Sequence, residues 1–271
     1  MAGAAYYNEI DPFAAQWLRN LIKAGHIAPG DVDERSIEDV QPLDLKRYTQ
    51  CHFFAGIGVW SYALRRAGWP DDRPVWTGSC PCQPFSAAGK GDGFDDERHL
   101  WPTWNHLIDK RRPPTIFGEQ VASKDAEPWL DLVSADLEGM GYAIGAVPFP
   151  SAGVGAPHIR DRLYWVGHTD HPRLEGLGWG HQATSGQWQG SIRSVAPSGE
   201  SCDPQATNGQ WRDADWLHCR DKKWRPVEPG TFPLAHGAPS RVGRLRAYGN
   251  ALNAEAAHAF IQAYLESIAP H

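Results

Sequence analysis

Apolar positions along the chain change period repeatedly, and the changes divide it into elements. Tyr6–Ile10 reads as a strand, and Asp11 and Pro12 then open a helix. Phe13, Trp17, Leu18, Leu21 and Ile22 fall at helical spacing up to Gly25. A weakly patterned strand is expected at Val32–Ile37 and a clearer one at Cys51–Ala55. The second runs into Gly56 and Gly58, then a helix with Trp60, Ala63, Leu64 and Ala67 on one face, ended by Gly68. Pro74–Thr77 is a short buried strand, stopped by Gly78 and the prolines that follow. Leu100, Trp101, Trp104, Leu107 and Ile108 mark a strong helix that Pro113 and Pro114 break. Thr115–Phe117 predicts a strand ending at Gly118, Glu119 and Gln120. A helix from Trp129 to Met140 and a strand through Ile144 and Val147 follow. His158–Val166 is an extended segment entering a further strand, and Ala257, Phe260, Ile261, Tyr264, Leu265 and Ile268 form a closing helix. Strands alternating with helices over short connections predict an α/β fold with a largely parallel sheet.

The pattern lapses at about residue 168. From there to 240 the chain is rich in Gly, Ser, Gln, His and Trp, and reads as a small irregular lobe. With 271 residues, 41% hydrophobic and 21% charged, the chain is expected to bury one large core. The expected division is 1–167, 168–240 and a returning segment at 241–271. No run approaches membrane-spanning length, no signal pattern opens the chain, and a monomer is expected. The five cysteines lack metal-site spacing, so the simplest inference is a reduced, cytoplasmic protein. A net charge of −6 opposes indiscriminate nucleic-acid binding. Residues 211–246 nevertheless carry eight Lys/Arg against four Asp/Glu, which suits a local phosphate-binding face or an ordinary solvated one.

Candidate chemistry lies at the carboxyl ends of the strands, where open α/β sheets hold their ligands. Residues 78–86 (GSCPCQPFS) form a proline-stiffened loop presenting Cys82, either as a reactive thiol or as a buried structural one. Glu119 is expected on the same edge. Arg160 and Arg162 alternate along an extended segment and would share one face. Strand, glycine turn and helix around Gly56 and Gly58 also suit close approach to a nucleotide-like cofactor, although plain packing uses the same glycines.

Together these segments resemble the C5-cytosine DNA methyltransferase family. PCQPFS at 81–86 is similar to its nucleophile loop, GEQV at 118–121 to its Glu-Asn-Val element and HIRDRLY at 158–164 to its Gln-x-Arg-x-Arg element. YGNAL at 248–252 resembles its Gly-Asn-Ala-Val, FAGIG at 54–58 its cofactor loop and DDERHLW at 95–101 a cofactor-covering segment. The resemblance implies a Rossmann-like fold, S-adenosylmethionine as donor and double-stranded DNA as partner, with 168–240 reading the target. It implies Cys82 as nucleophile, Glu119 holding the cytosine amino group and protonating N3, and Arg160 or Arg162 holding O2. For the cofactor it implies Phe54, Gly56, Gly58, Leu100 and Asn250. Glu9 would take the ribose hydroxyls and Ile10 would lie on adenine, with Asp31 or Asp33 on its amino group. Lys222, Lys223, Arg225, Arg241, Arg244 and Arg246 are candidate phosphate contacts.

Several features depart from the family. Asn8–Asp11 and Gly30–Val32, matching elements that normally follow FxGxG, here precede it, which implies a permuted order. Gln120, His158 and Asn253 stand where the family has Asn, Gln and Pro, and the Arg-rich segment is abbreviated to 241–246. An RNA cytosine methyltransferase, a related C5 modification with an altered donor, and a catalytically silent DNA-binding module are the alternative readings.

Overall fold

The computed structural model describes residues 4–81, 100–122, 126–156, 160–169, 215–218, 224–227 and 251–269. β1 (Ala4–Asn8) is almost wholly buried, as a strand covered on both faces must be. Asp11 caps the following helix α1 (Pro12–Ala24), accepting the Phe13 and Ala14 amides, and Gly25 closes it in the left-handed conformation at φ +75°. The weak strand expected at Val32–Ile37 lies earlier. β2 is Gly30–Asp33, and Ile37 belongs to a 3-10 turn over Ile37–Asp39 that Ser36 caps. Gly30 sets this boundary, since a Cβ there would stand 1.9 Å from the Ala5 carbonyl oxygen.

β3 (Tyr48–Phe53) also begins earlier than expected and leads through the glycine turn to α2 (Val59–Arg66). β4 (Val75–Gly78), α3 (Trp101–Arg111), β5 (Thr115–Val121), α4 (Ala126–Gly139), β6 (Ala143–Pro150) and β7 (Asp161–His168) follow. These seven strands make one sheet in the order β2-β1-β3-β4-β5-β7-β6. β7 is antiparallel to both neighbours, while β1 to β5 pair in parallel. The α/β architecture expected from the sequence is therefore the one observed. In the expected irregular lobe, the described elements are β8 (Asp215–His218) and β9 (Trp224–Val227), which pair antiparallel. α5 (Ala254–Ser267) closes the chain, capped by the Asn253 side chain, which accepts the Glu255 and Ala256 amides.

Helices cover both faces of the sheet. On one face Trp101, Trp104, Trp129 and Trp165 pack with Phe53, Trp76 and Ile116. On the other, Trp60 and Leu64 of α2 and Ile261 and Tyr264 of α5 pack on Phe117 and Tyr164. Two strand glycines are seats for indoles. A Cβ at Gly78 would meet Trp104 at 2.6 Å, and one at Gly118 would meet Trp165 at 2.0 Å. The indoles of Trp104 and Trp165 thus lie directly against β4 and β5.

Candidate active site

β4 ends at Gly78, and Ser79 and the buried Cys80 lead away from it. Gln120 fastens this exit to β5: its Nε2 donates to the Cys80 carbonyl at 3.1 Å, and its Oε1 accepts the Val121 amide at 2.9 Å. Cys82, four positions past the strand end, lies outside the described residues, as do His158 and Asn250.

Glu119 lies near the carboxyl end of its strand, as the sequence suggested, since β5 runs to Val121. β7 pairs with β5 as far as Val121, opposite Arg162, and this pairing draws Glu119 into the sheet. Its side chain is buried on the Phe117 and Tyr164 face, and its Oε1 lies 2.7 Å from Arg162 Nε. Nearby, the Ser79 hydroxyl accepts the Trp60 indole N–H at 3.3 Å. Burial pushes the Glu119 pKa up from the ordinary carboxylate range, while Arg162, Ser79 and Arg160 pull it back.

Arg160 does not continue the extended segment. Its φ is +37°, in the left-handed region, and it precedes β7. The Ser151 amide holds its carbonyl at 3.3 Å, and its guanidinium donates to the Ala251 carbonyl, in the stretch matching YGNAL. The two arginines therefore reach Glu119's surroundings by different backbone routes. Burial and the neighbouring Arg162 lower the pKa of Arg160, and Glu119 opposes both. A buried carboxyl that still accepts a proton, beside a paired guanidinium, can both donate a proton to a ring nitrogen and orient an amino group.

The second cluster joins β1 to the glycine turn. The Glu9 carboxylate accepts the Gly56 amide at 2.7 Å and the Asp11 amide at 2.9 Å. Ile10 beside it is 64% exposed, a flat apolar surface on a sheet edge. Gly56 and Gly58 have φ of +54° and +80°; a Cβ at Gly56 would touch nothing within 4 Å, and one at Gly58 would crowd Leu18. Phe54, at φ +50°, packs edge-on against Trp104, and Leu100 packs on the same aromatic core. This set suits a ligand with a diol and a planar ring. Asp33 registers with Asn8, and its carbonyl accepts the Glu9 amide at 3.0 Å. Asp31 registers two residues back with Tyr6 and is paired with Arg47 at 2.8 Å. The Asp33 carboxylate is held by Arg35 and Tyr6, which outweigh its burial and lower its pKa. Both aspartates line a cavity of about 560 Å³ with Tyr6, Arg35, Arg47 and Tyr48.

Ser79 and Trp60 escaped the sequence reading. Ser79's only signal was its place between a strand end and the loop, and Trp60 read simply as core.

The sheet thus brings one buried carboxyl and two guanidinium groups together. Residues 65–195 match the family model for C-5 cytosine-specific DNA methylase. It is 31% identical over 104 residues to the Type II methyltransferase M.NgoBI of Neisseria gonorrhoeae, covering 37% of this chain and 33% of that protein. It is 29% identical over 99 residues to the Type II methyltransferase M.HhaI of Haemophilus parahaemolyticus, covering 35% of this chain and 30% of that one. The chain thus spans about a third of the length of these curated relatives. Among solved structures, a mutant of Spodoptera frugiperda DNMT2 superposes with a TM-score of 0.43 at 17% identity, over 62% of this chain and 43% of that one.

Proposed function

We propose that this chain is a DNA (cytosine-5-)-methyltransferase acting on a flipped-out cytosine through a covalent adduct with Cys82. The observation that carries this reading is the buried Glu119 carboxyl, paired with Arg162 at 2.7 Å beside the exit of β4 that leads to Cys82. C5 of cytosine is too weak a nucleophile to take a methyl group unaided. The Cys82 thiolate adds to C6, forming the S–C6 bond, while Glu119 gives N3 a proton. The resulting enamine carries electron density to C5. Bound S-adenosylmethionine would supply the methyl group. Loss of the C5 proton to water then breaks the S–C6 bond and releases the Cys82 thiolate, and N3 returns its proton to Glu119. Arg160 or Arg162 holds O2 and balances charge. Flipping costs a few kcal/mol, which contacts in the pocket offset.

Glu9, Ile10, Gly56, Gly58, Phe54, Leu100 and Asn250 would hold the donor, and of the two aspartates Asp33 is favoured because it adjoins Glu9. The family description names DNA, which favours DNA over RNA as substrate, with 168–240 as the recognition region. The sheet order supports a permuted chain. If β1 to β2 followed α2 in sequence, the strands from the β2 edge would run 3-2-1-4-5, the classic doubly wound order.

The test is trapping on a duplex carrying 5-fluorocytosine in the presence of S-adenosylmethionine. A covalent adduct with duplex DNA that Cys82→Ser abolishes supports the proposal. An adduct with RNA alone supports the RNA reading. No adduct with any nucleic acid sinks the enzyme and leaves the binding module.

A further inference from the structure

The Asp33 carboxylate, given above to the adenine amino group of the donor, is already fully engaged. Its Oδ1 accepts the Arg35 amide at 3.0 Å and Arg35 Nε at 3.1 Å. Its Oδ2 accepts the Tyr6 hydroxyl at 2.8 Å, Arg35 Nη2 at 2.7 Å and Arg35 Nε at 3.0 Å. A carboxylate offers about four acceptor positions, so these bonds leave none for a further donor. An amino group can reach Asp33 only if one partner gives way, and exposure decides which. Tyr6 is 3% exposed, and its ring meets Tyr48 at 5.2 Å and Phe53 at 5.9 Å. The Arg35 backbone is fixed as well, its carbonyl accepting Asn8 Nδ2 at 2.9 Å. The Arg35 side chain, by contrast, is 47% exposed and lines the same cavity as Asp33. It also has a second set of anchors, with Nη2 on Asp44 Oδ2 at 3.0 Å and Nη1 on the Asp39 carbonyl at 3.3 Å. The guanidinium can therefore leave Asp33 without losing every partner, and a half-exposed ion pair costs little to open.

We propose that Arg35 is a specificity-determining residue of the donor site: its guanidinium occupies the Asp33 carboxylate that the adenine amino group takes, so donor binding and the Arg35–Asp33 pair exclude one another. Arg35 has this role only if the donor is S-adenosylmethionine, as proposed above. The amino group gains Asp33 but must displace Arg35, and the two effects partly cancel. A purine with oxygen at C6 meets the opposite situation. Its oxygen can accept from Arg35 while the guanidinium stays on Asp33, so nothing has to move. Arg35 thus narrows the difference between amino and oxo purines, which Asp33 by itself would separate sharply.

The experiment is calorimetric binding of S-adenosylhomocysteine, and of S-inosylhomocysteine with its oxygen at C6, to the full chain. In Arg35→Ala the adenosyl compound should bind about three- to tenfold more tightly, because the carboxylate no longer has to be vacated. The inosyl compound should bind more weakly, its C6 oxygen now facing a bare carboxylate. The ratio of the two affinities should therefore rise by about tenfold or more, a change that damage to the fold, which weakens both alike, would not produce. Arg35→Met, which keeps the length of the chain and removes its donors, should move the ratio the same way. An unchanged or lower ratio in either variant, with the parent binding the adenosyl compound, overturns the role of Arg35 and leaves the donor reading standing. If the parent binds neither compound, the donor reading fails and the role of Arg35 falls with it.

Discussion

Glu119 faces opposite demands, being buried in the sheet yet paired with a cation. Burial favours its neutral form, while Arg162 at 2.7 Å favours the charged one. A carboxyl that must donate a proton to N3 works while it is protonated, so transfer should fail as pH rises through its raised pKa. Glu119→Gln should lower kcat by about 10²- to 10⁴-fold with little change in DNA binding, measured by tritiated-methyl transfer and gel shift. His52 shows the converse. It is fully buried, its Nδ1 lies 2.8 Å from Thr77 Oγ1, its Nε2 has no partner among the described residues, and burial pushes its pKa down to about 3. Between its unfolded value of about 6.5 and that figure, the unfolded chain binds a proton that the folded one refuses. Stability should therefore fall with pH across that window by about 1.4 kcal/mol per unit on account of this residue. His52→Phe, which keeps a ring beside Tyr7, should lose correspondingly less between pH 6.5 and 4.5 in urea unfolding. Equal losses in the two proteins would refute this. Burial of Glu119 could not be read from the sequence, because its neighbours Gly118 and Gln120 gave no alternating apolar pattern.

At the scale of elements, the alternation of strand and helix and most helix ends were legible. Asp11 and Gly25 bound α1 as capping chemistry dictates. Strand ends were less so. β5 and β7 extend one another through pairing, so the length of each depends on a partner far along the chain. The glycines were read as strand stops; Gly78 does end β4, but Gly118 lies within β5, and both are seats for indoles, of Trp104 and Trp165. The consequence is testable. Gly118→Ala puts a methyl group 2.0 Å from the Trp165 ring, held against Trp101, Trp104 and Trp129. It should cost about 3 kcal/mol or more, seen as a lower urea midpoint, because a packed core relaxes poorly. Asn253, a departure from the family's proline, proves to be the N-cap of α5, so the substitution keeps a helix start by another route.

At the scale of the molecule, the Glu9 to Gly56 bond joins two segments whose order along the chain is permuted on the reading proposed above. Moving residues 4–46 to the connection between Gly68 and Val75 would restore the family order without altering a strand neighbour. Such a rearranged chain should fold cooperatively with the same sheet, as judged by amide exchange protection of β1 and β3. Loss of that protection would count against the permuted reading. Connections at a sheet's amino edge tolerate such moves because the site is built on the opposite edge.

The sequence by itself determined the α/β class, the caps of α1, the glycine turn and the identity of the chemical groups at positions 9, 82, 119, 160 and 162. These are local matters, set by periodicity, by backbone preference at glycine and proline, and by side-chain chemistry. The tertiary structure alone decided that Glu119 is buried against Arg162, that Arg160 turns left-handed toward Ala251, and that Trp60 meets Ser79. Each depends on strands far apart in sequence meeting in register. Burial, and with it the proton affinity of a carboxyl, belongs to the assembled sheet and not to any segment of it.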